Sequence, residues 1–398
     1  MSGRPAWLPD EPQELLLEAC LLADIRRARE SFVAWSRRVN VERLDAGSYR
    51  LLPLLWKRLP VLGVDHPSRH VLKGVYRRTW YANQIQVARV SGLVAALRHA
   101  DIKAMVVKGV PLAIEAYRDI GARPMSDGDI VVPRASARRA VETLVDAGFR
   151  PGVTPLTGAM VAGSPATARW TVGPRPLPAF DEAYFGVRHA HGFDSSDGFA
   201  VDLHWAVFQG GCDRGADDAV WSRAHSIDLR GEPALAPSPE DHLLLLLAHG
   251  ARWNPIPPIR WVADAVVLLR STTPSWPTLI EESRRRGLVL PAREMLDWIE
   301  TRFSVGVPRE VLAALRSEPV GPAESRAWSL RVAPPGIRSG IEELAYLRAR
   351  HRVLRCDPGA GPMPPFPAFV RHVLGAESLV QVGLYSLGET FRRLGARP

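Results

Sequence analysis

This chain of 398 residues is poor in cysteine, lysine and long apolar runs. Its three cysteines, Cys20, Cys212 and Cys356, are odd in number and far apart. That excludes a disulfide framework and a cysteine zinc site, and reads as plain thiols in a reducing compartment. The longest apolar run, Leu243 to Ala248, is far short of the ~20 residues a membrane-spanning helix needs. The first residues carry no apolar segment of the secretory kind. A cytoplasmic protein without a membrane segment is expected. Only four lysines (Lys57, Lys73, Lys103, Lys108) stand among 51 basic residues, and the net charge is +9. The arginines are scattered apart from short clusters such as Arg284-Arg285-Arg286. They fit a compositional bias, and nucleic acid is a less favoured partner than a nucleotide phosphate.

What is present is organised in three stretches: a helical region over 1–99, an α/β core over 100–237 and a helical domain over 238–398. Residues 11–40, 48–60 and 68–99 read as helices. In the last, Leu72, Val75, Tyr76, Trp80, Val87, Val90, Leu93, Val94 and Leu97 trace one face, and Ile85 falls off it. The pattern then changes. Residues 102–107 read as a strand, Gly109 breaks it, and 110–117 read as a short helix. A second strand over 129–132 is stopped by Pro133, and the amphipathic helix 135–147 is closed by Gly148. The Pro, Gly and Thr content of 151–183 marks a long irregular insertion, set within 151–198. Residues 184–191 and 199–205 read as a hairpin around Asp194–Gly198. Ser238-Pro-Glu-Asp241 is a helix start. Helices are expected over 239–253, 258–271, 276–287, 289–304, 308–317, 339–355 and 376–395, with proline-rich linkers at 334–335 and 358–367. The fold class is α+β: a small mixed sheet embedded between helical regions.

The chemistry concentrates in Arg123-Pro-Met-Ser-Asp-Gly-Asp-Ile-Val-Val132. On a strand, the period of two turns Asp127 and Asp129 to the same face. Their carboxylates suit Mg²⁺, which takes one or two protein carboxylates beside substrate phosphates. Two such ions can clamp the attacking and leaving oxygens of an in-line phosphoryl displacement. Asp202, in Val201-Asp202-Leu203-His204-Trp205, is an apolar-flanked third carboxylate. Lys108-Gly109 ends a strand before a helix, where backbone N–H groups can hold a phosphate. Asp-x-Asp alone marks a solvated turn more readily than a metal site. The order of all three features is the signal.

These segments resemble an uncharacterised nucleotidyltransferase family of the DNA polymerase beta-like superfamily, met in bacterial natural-product and lasso-peptide gene clusters. The resemblance rests on Val106-Val-Lys-Gly-Val-Pro-Leu-Ala113, Tyr117–Ile130, Ala147-Gly-Phe149, Asp202-Leu-His-Trp205, and Pro239–His249 with Ile259–Asp264. It covers about residues 40–270. It implies an enzyme that moves a nucleoside monophosphate from an NTP such as ATP to a hydroxyl or phosphate of a small molecule or peptide. Asp127, Asp129 and Asp202 would hold Mg²⁺, with Mn²⁺ a possible substitute. Asp202 is either a metal ligand or the base for the acceptor hydroxyl. Lys108, Gly109, Arg123, Ser126 and His204 would serve the nucleotide. Two departures stand out. The superfamily's Gly-Ser is Gly109-Val110 here, and the bulky residue between its aspartates is Gly128. Both fit the alternative of a nucleotide- or partner-binding module that has lost turnover.

Several residues keep two readings. Arg123 holds a triphosphate oxygen or pairs with Asp127. His204 touches substrate or a metal-bound water, or is a hydrogen-bonded core histidine. Asp119 caps a turn. His189 and His191 sit on a strand surface rather than at a metal. His249, Arg260 and Asp264 form a structural network, or present Arg260 or His249 to the nucleotide. Trp253 and Trp261 are core, or stack on a base.

Overall fold

A computed structural model describes residues 5, 7–152, 180, 182–209, 215–251, 259–332, 347, 348, 351, 364–374 and 380. The expected helix over 11–40 is two helices, α1 (Glu11–Leu21) and α2 (Ile25–Arg38). Asp10 and Gln13 form a reciprocal capping box that starts α1. Asp24 accepts from the backbone N–H groups of Arg26 and Arg27 and restarts the chain as α2. After α3 (Ala46–Tyr49), α4 (Leu52–Leu62) opens with Pro53 in its first turn and ends on Gly63 at φ +58°. Helix α5 (Arg69–His99) buries Leu72, Val75, Val87, Val90, Leu93, Val94 and Leu97. Trp80, expected on that face, is instead 45% exposed; Ile85, expected off it, is 41% exposed.

The alternation that follows is β1 (Met105–Val106), α6 (Gly109–Pro111) running into a wider turn over Leu112–Ala116, β2 (Gly128–Val131), α7 (Ala137–Asp146) and β3 (Arg150–Pro151). Ala140, Val141 and Leu144 face the core, whereas Val145 lies 47% exposed. Residues 184–191 were expected as a strand. They are instead α8 (Glu182–Val187) leading into β4 (Ala190–Asp194), which pairs with β5 (Ala200–His204). Tyr184 and Phe185 are neighbours in sequence and both buried, which a helix permits and a one-sided strand does not.

The sequence reading missed α9 (Asp218–Arg223) and the hairpin β6 (His225–Leu229) and β7 (Glu232–Ala236). The hairpin turns on Arg230 and Gly231, both at positive φ. Asn-Gly usually marks such a turn, and arginine in the first place hid it. Helices α10 (Pro239–Gly250), α11 (Arg260–Ser271), α12 (Trp276–Arg285), α13 (Val289–Phe303) and α14 (Arg309–Ser317) follow as expected. Two more, α15 (Pro322–Val332) and α16 (Phe366–Leu374), were not anticipated. The helices expected over 376–395 and most of 339–355, nearly all of the insertion 151–183, and Trp253 lie outside the described residues.

The described residues belong to two compact units. One draws on 1–92, 106–128 and 223–334, the other on 93–105, 129–222 and 335–398. In the first, α10 is buried from Glu240 to Leu247, and Ser238 caps it, accepting from the Asp241 N–H. Gly250 lets α10 approach α11, because a Cβ there would stand 2.3 Å from the Trp261 ring. In the second, the strand order is β3-β4-β5-β2-β1. Helices with a small sheet make up an α+β fold, as expected. No helix among the described residues is long and apolar enough to cross a membrane.

Candidate metal centre

Sheet register assembles the site. Gly192 on β4 faces Asp202 on β5, and Ala190 faces His204. Along both strands His191, Phe193, Val201 and Leu203 point into the core. Strand alternation therefore sets Ala190, Gly192, Asp202 and His204 on the opposite face. The backbone N–H of Val132, just past β2, donates to the His204 carbonyl at 2.9 Å, which brings β2 alongside. The result is that His204 Nε2–H donates to Asp129 Oδ1 at 3.1 Å. Asp129 and His204 are 6% and 3% exposed, and Asp202 is half-buried. Asp129, Asp202 and His204 each offer one ligand atom, and these atoms lie within 4.8 Å of one another.

That donor set fits a divalent cation. Two carboxylates held this close repel unless positive charge lies between them. A Cβ at Gly192 would come to 3.2 Å from Asp202 Oδ1, so the glycine keeps one side of that carboxylate open. The second nitrogen of His204, Nδ1, is buried without a hydrogen-bond partner. Nε2 of His191 and Nε2 of His242 are likewise buried without a partner, so it is the company of Asp129 and Asp202 that sets His204 apart. His191 stands outside this cluster. It is buried rather than on the strand surface, on the other face of β4, with the Tyr184 hydroxyl 2.6 Å from its Nδ1. Burial and the Arg188 charge push its pKa down to about 4.

The remaining expected residues belong to the other unit. Asp127 is half-buried, precedes β2 and accepts from Ser126 Oγ at 3.1 Å. Lys108 precedes α6 at φ +56° and ψ −104°, a region that strains any residue with a Cβ. Gly109 follows it with no room for a side chain: a Cβ would stand 3.0 Å from both Arg123 Nη1 and Met125 Sδ. Arg123 is buried, and its Nε and Nη2 donate to Asp264 Oδ1 and Oδ2 at 2.8 Å each. The structure thus gives Arg123 a partner, Asp264, that the sequence reading did not anticipate. Tyr117 donates to the same Oδ1 at 2.9 Å. Burial would raise the Asp264 carboxyl, but the Arg123 charge and its hydrogen bonds hold it below the usual range.

Three further groups brace this turn. Arg260 Nη1 donates to the Pro124 carbonyl at 2.8 Å, and burial followed by the Arg123 charge brings its pKa down to about 10. Asn83 Nδ2 donates to the Arg123 carbonyl at 2.7 Å. His242, buried and bonded to the Lys108 backbone, is pushed down to about 3 mainly by burial. Asp119 does cap its turn, accepting from the Gly121 N–H, and also pairs with Lys57 at 2.8 Å. The sequence held one overlooked sign: Asn83 is a polar residue four positions before Val87, on the apolar face of α5. Trp261 is core.

A family model for uncharacterised nucleotidyltransferases matches residues 46–304, well over half of the chain. The protein belongs to this nucleotidyltransferase family. The match contains Asp129, Asp202 and His204, so the metal-capable cluster falls inside the nucleotidyltransferase segment. No curated protein matches the chain. A solved antigenic nucleotidyltransferase-like protein from Paracoccidioides brasiliensis is similar at 14% identity, over 60% of this chain and 95% of its own. Its TM-score of 0.32 is too low to carry weight beside the family match.

Proposed function

We propose that this nucleotidyltransferase moves a nucleoside monophosphate from an NTP to a hydroxyl or phosphate of a small-molecule or peptide acceptor, in the cytoplasm. The observation that carries this is the clustering of Asp129, Asp202 and His204 within 4.8 Å inside the family segment. In the reaction an acceptor oxygen bonds to the α-phosphorus, the bond to the β-phosphate bridging oxygen breaks, and pyrophosphate leaves. Divalent cations, Mg²⁺ being the ordinary partner of carboxylates, supply charge neutralisation for the triphosphate. Asp129 and Asp202 hold them, and Asp127 joins from two residues along the chain. Asp202, half-buried and open beside Gly192, is suited to take the acceptor's proton. Lys108, Gly109 and Ser126 serve the triphosphate. Arg123, committed to Asp264, acts on the nucleotide by holding the Lys108-Gly109 turn in place. Catalysis is then mainly positioning and charge stabilisation.

The test is incubation with Mg²⁺ and each labelled NTP, with pyrophosphate release and product or self-labelling as readouts. Turnover that disappears in Asp202→Ala supports the reading. Metal-dependent NTP binding without turnover, across a range of acceptors, would replace it with a nucleotide-binding module. Absence of NTP binding under any metal would refute both.

A further inference from the structure

We propose that His204 is itself a metal ligand, and that the centre consequently takes a first-row transition ion such as Mn²⁺ in preference to Mg²⁺. This rests on the proposed reading of Asp129 and Asp202 as cation-holding groups.

The first support is spacing. Ligand bonds to such ions are about 2.1 Å, so two ligands at a right angle stand about 3.0 Å apart. His204 Nε2 and Asp129 Oδ1 are 3.1 Å apart, which suits two neighbouring ligands of one ion as well as it suits a hydrogen bond. Asp202 favours the first. A histidine that only orients Asp129 needs no second carboxylate, yet Asp202 brings an oxygen within 4.8 Å of both. Register reinforces this, because Asp202 and His204 are two residues apart on β5 and share a face.

The second support is the state of the ring. His204 is 3% exposed, and its Nδ1 has no hydrogen-bond partner. Among the described residues the ring's polar contact is with Asp129, through Nε2. Across the β4–β5 pair Ala190 faces His204 and Gly192 faces Asp202, so the cross-strand neighbours of both groups are small.

Selectivity follows from donor chemistry. Mg²⁺ takes oxygen ligands and gives up its waters reluctantly, whereas imidazole suits transition ions. Two carboxylates alone would leave Mg²⁺ and Mn²⁺ comparable. A nitrogen added to them favours the transition ion.

The probe is Mn²⁺, titrated into the full chain and followed by the electron paramagnetic resonance signal of the free ion. Pulsed measurement of the bound ion reads nitrogen coupling. The expected result is a ¹⁴N coupling in the wild-type protein. It should be lost in His204→Ala together with about tenfold or more of the Mn²⁺ affinity. Displacement by Mg²⁺ should need more than about tenfold excess. Bound Mn²⁺ without nitrogen coupling, or displaced by equimolar Mg²⁺, overturns the role of His204 and leaves the carboxylates standing. Mn²⁺ binding that survives Asp202→Ala, or no binding with or without an NTP, overturns the carboxylate reading itself. Should His204→Ala fail to fold, the coupling in the wild-type protein still decides.

Discussion

Removing the Asp264 carboxylate should be among the most damaging single changes in the unit that carries Lys108 and Gly109. Arg123 and Asp264 are 4% and 2% exposed, and two 2.8 Å hydrogen bonds join them. In Asp264→Ala the guanidinium stays buried without the carboxylate that meets two of its nitrogens, and Tyr117 loses its acceptor as well. Breaking a buried pair in this way costs about 3–5 kcal/mol. In a unit of this size each kcal/mol moves the thermal midpoint by about 2–4 °C, so a fall of about 10 °C is expected by circular dichroism. A second variant separates the pair's worth from the penalty of an orphaned charge. Arg123→Met with Asp264→Leu removes both charges and keeps the volume, and should be less damaged than Asp264→Ala alone. A midpoint shift under about 2 °C in Asp264→Ala, or a double variant that simply sums the two losses, would refute a desolvated pair at this position.

Other outcomes follow from packing and protonation. Gly250→Ala should cost several kcal/mol, since its Cβ would lie 2.3 Å from the Trp261 ring and neither helix can yield cheaply. Gly109→Ala should cost less, about 1–3 kcal/mol by urea denaturation, because Met125 can move while Arg123 cannot. The histidines give stability an acid limb. Burial lowers His242 to about 3 and His191 to about 4, while both sit near 6.5 in the unfolded chain. Unfolding therefore takes up protons below about pH 6.5, and stability should fall as pH drops from there towards about 4. His242→Asn should flatten that limb in urea midpoints measured across pH, and an unchanged slope would count against a neutral His242.

The β5 pattern was legible because strand alternation is local. Asp202 and His204 are two residues apart between apolar neighbours, so their shared face can be read directly. Asp129 could be placed on a strand for the same reason. The closure of β5 against β2 could not be read, because it depends on a backbone bond between Val132 and His204, distant in sequence. His204 was therefore left between core and substrate. Arg123 shows the same limit more sharply. Its partner Asp264 lies 141 residues on, and the nearer carboxylate, Asp127, offered itself first. The i,i+4 spacing of Arg260 and Asp264 suggested a helix pair, but the side-chain pair that forms uses Arg123, while Arg260 holds the Pro124 carbonyl. The hairpin of β6 and β7 was missed for a chemical reason, the arginine at a turn position that glycine or asparagine normally marks.

Asp127 and Asp129 look equivalent in the sequence, and the structure separates them. Asp129 is buried on β2 with its oxygen against His204, while Asp127 is half-buried with Ser126 on it and the Arg260 charge nearby. Two carboxylates in unlike surroundings are suited to unlike tasks. On the proposed reading Asp129 is the fixed ligand, since moving it would cost its partner on His204. Asp127 can adjust to an arriving triphosphate. The two asparagine variants should then differ in kind. Asp129→Asn should abolish Mn²⁺ binding in the absence of nucleotide. Asp127→Asn should keep that binding and lose affinity only for the ion that accompanies the NTP. Calorimetry of Mn²⁺ with and without a non-hydrolysable NTP distinguishes them. Equal losses for both variants in both conditions would mean that the pair acts as one ligand and that Gly128 confers no independence on its neighbours.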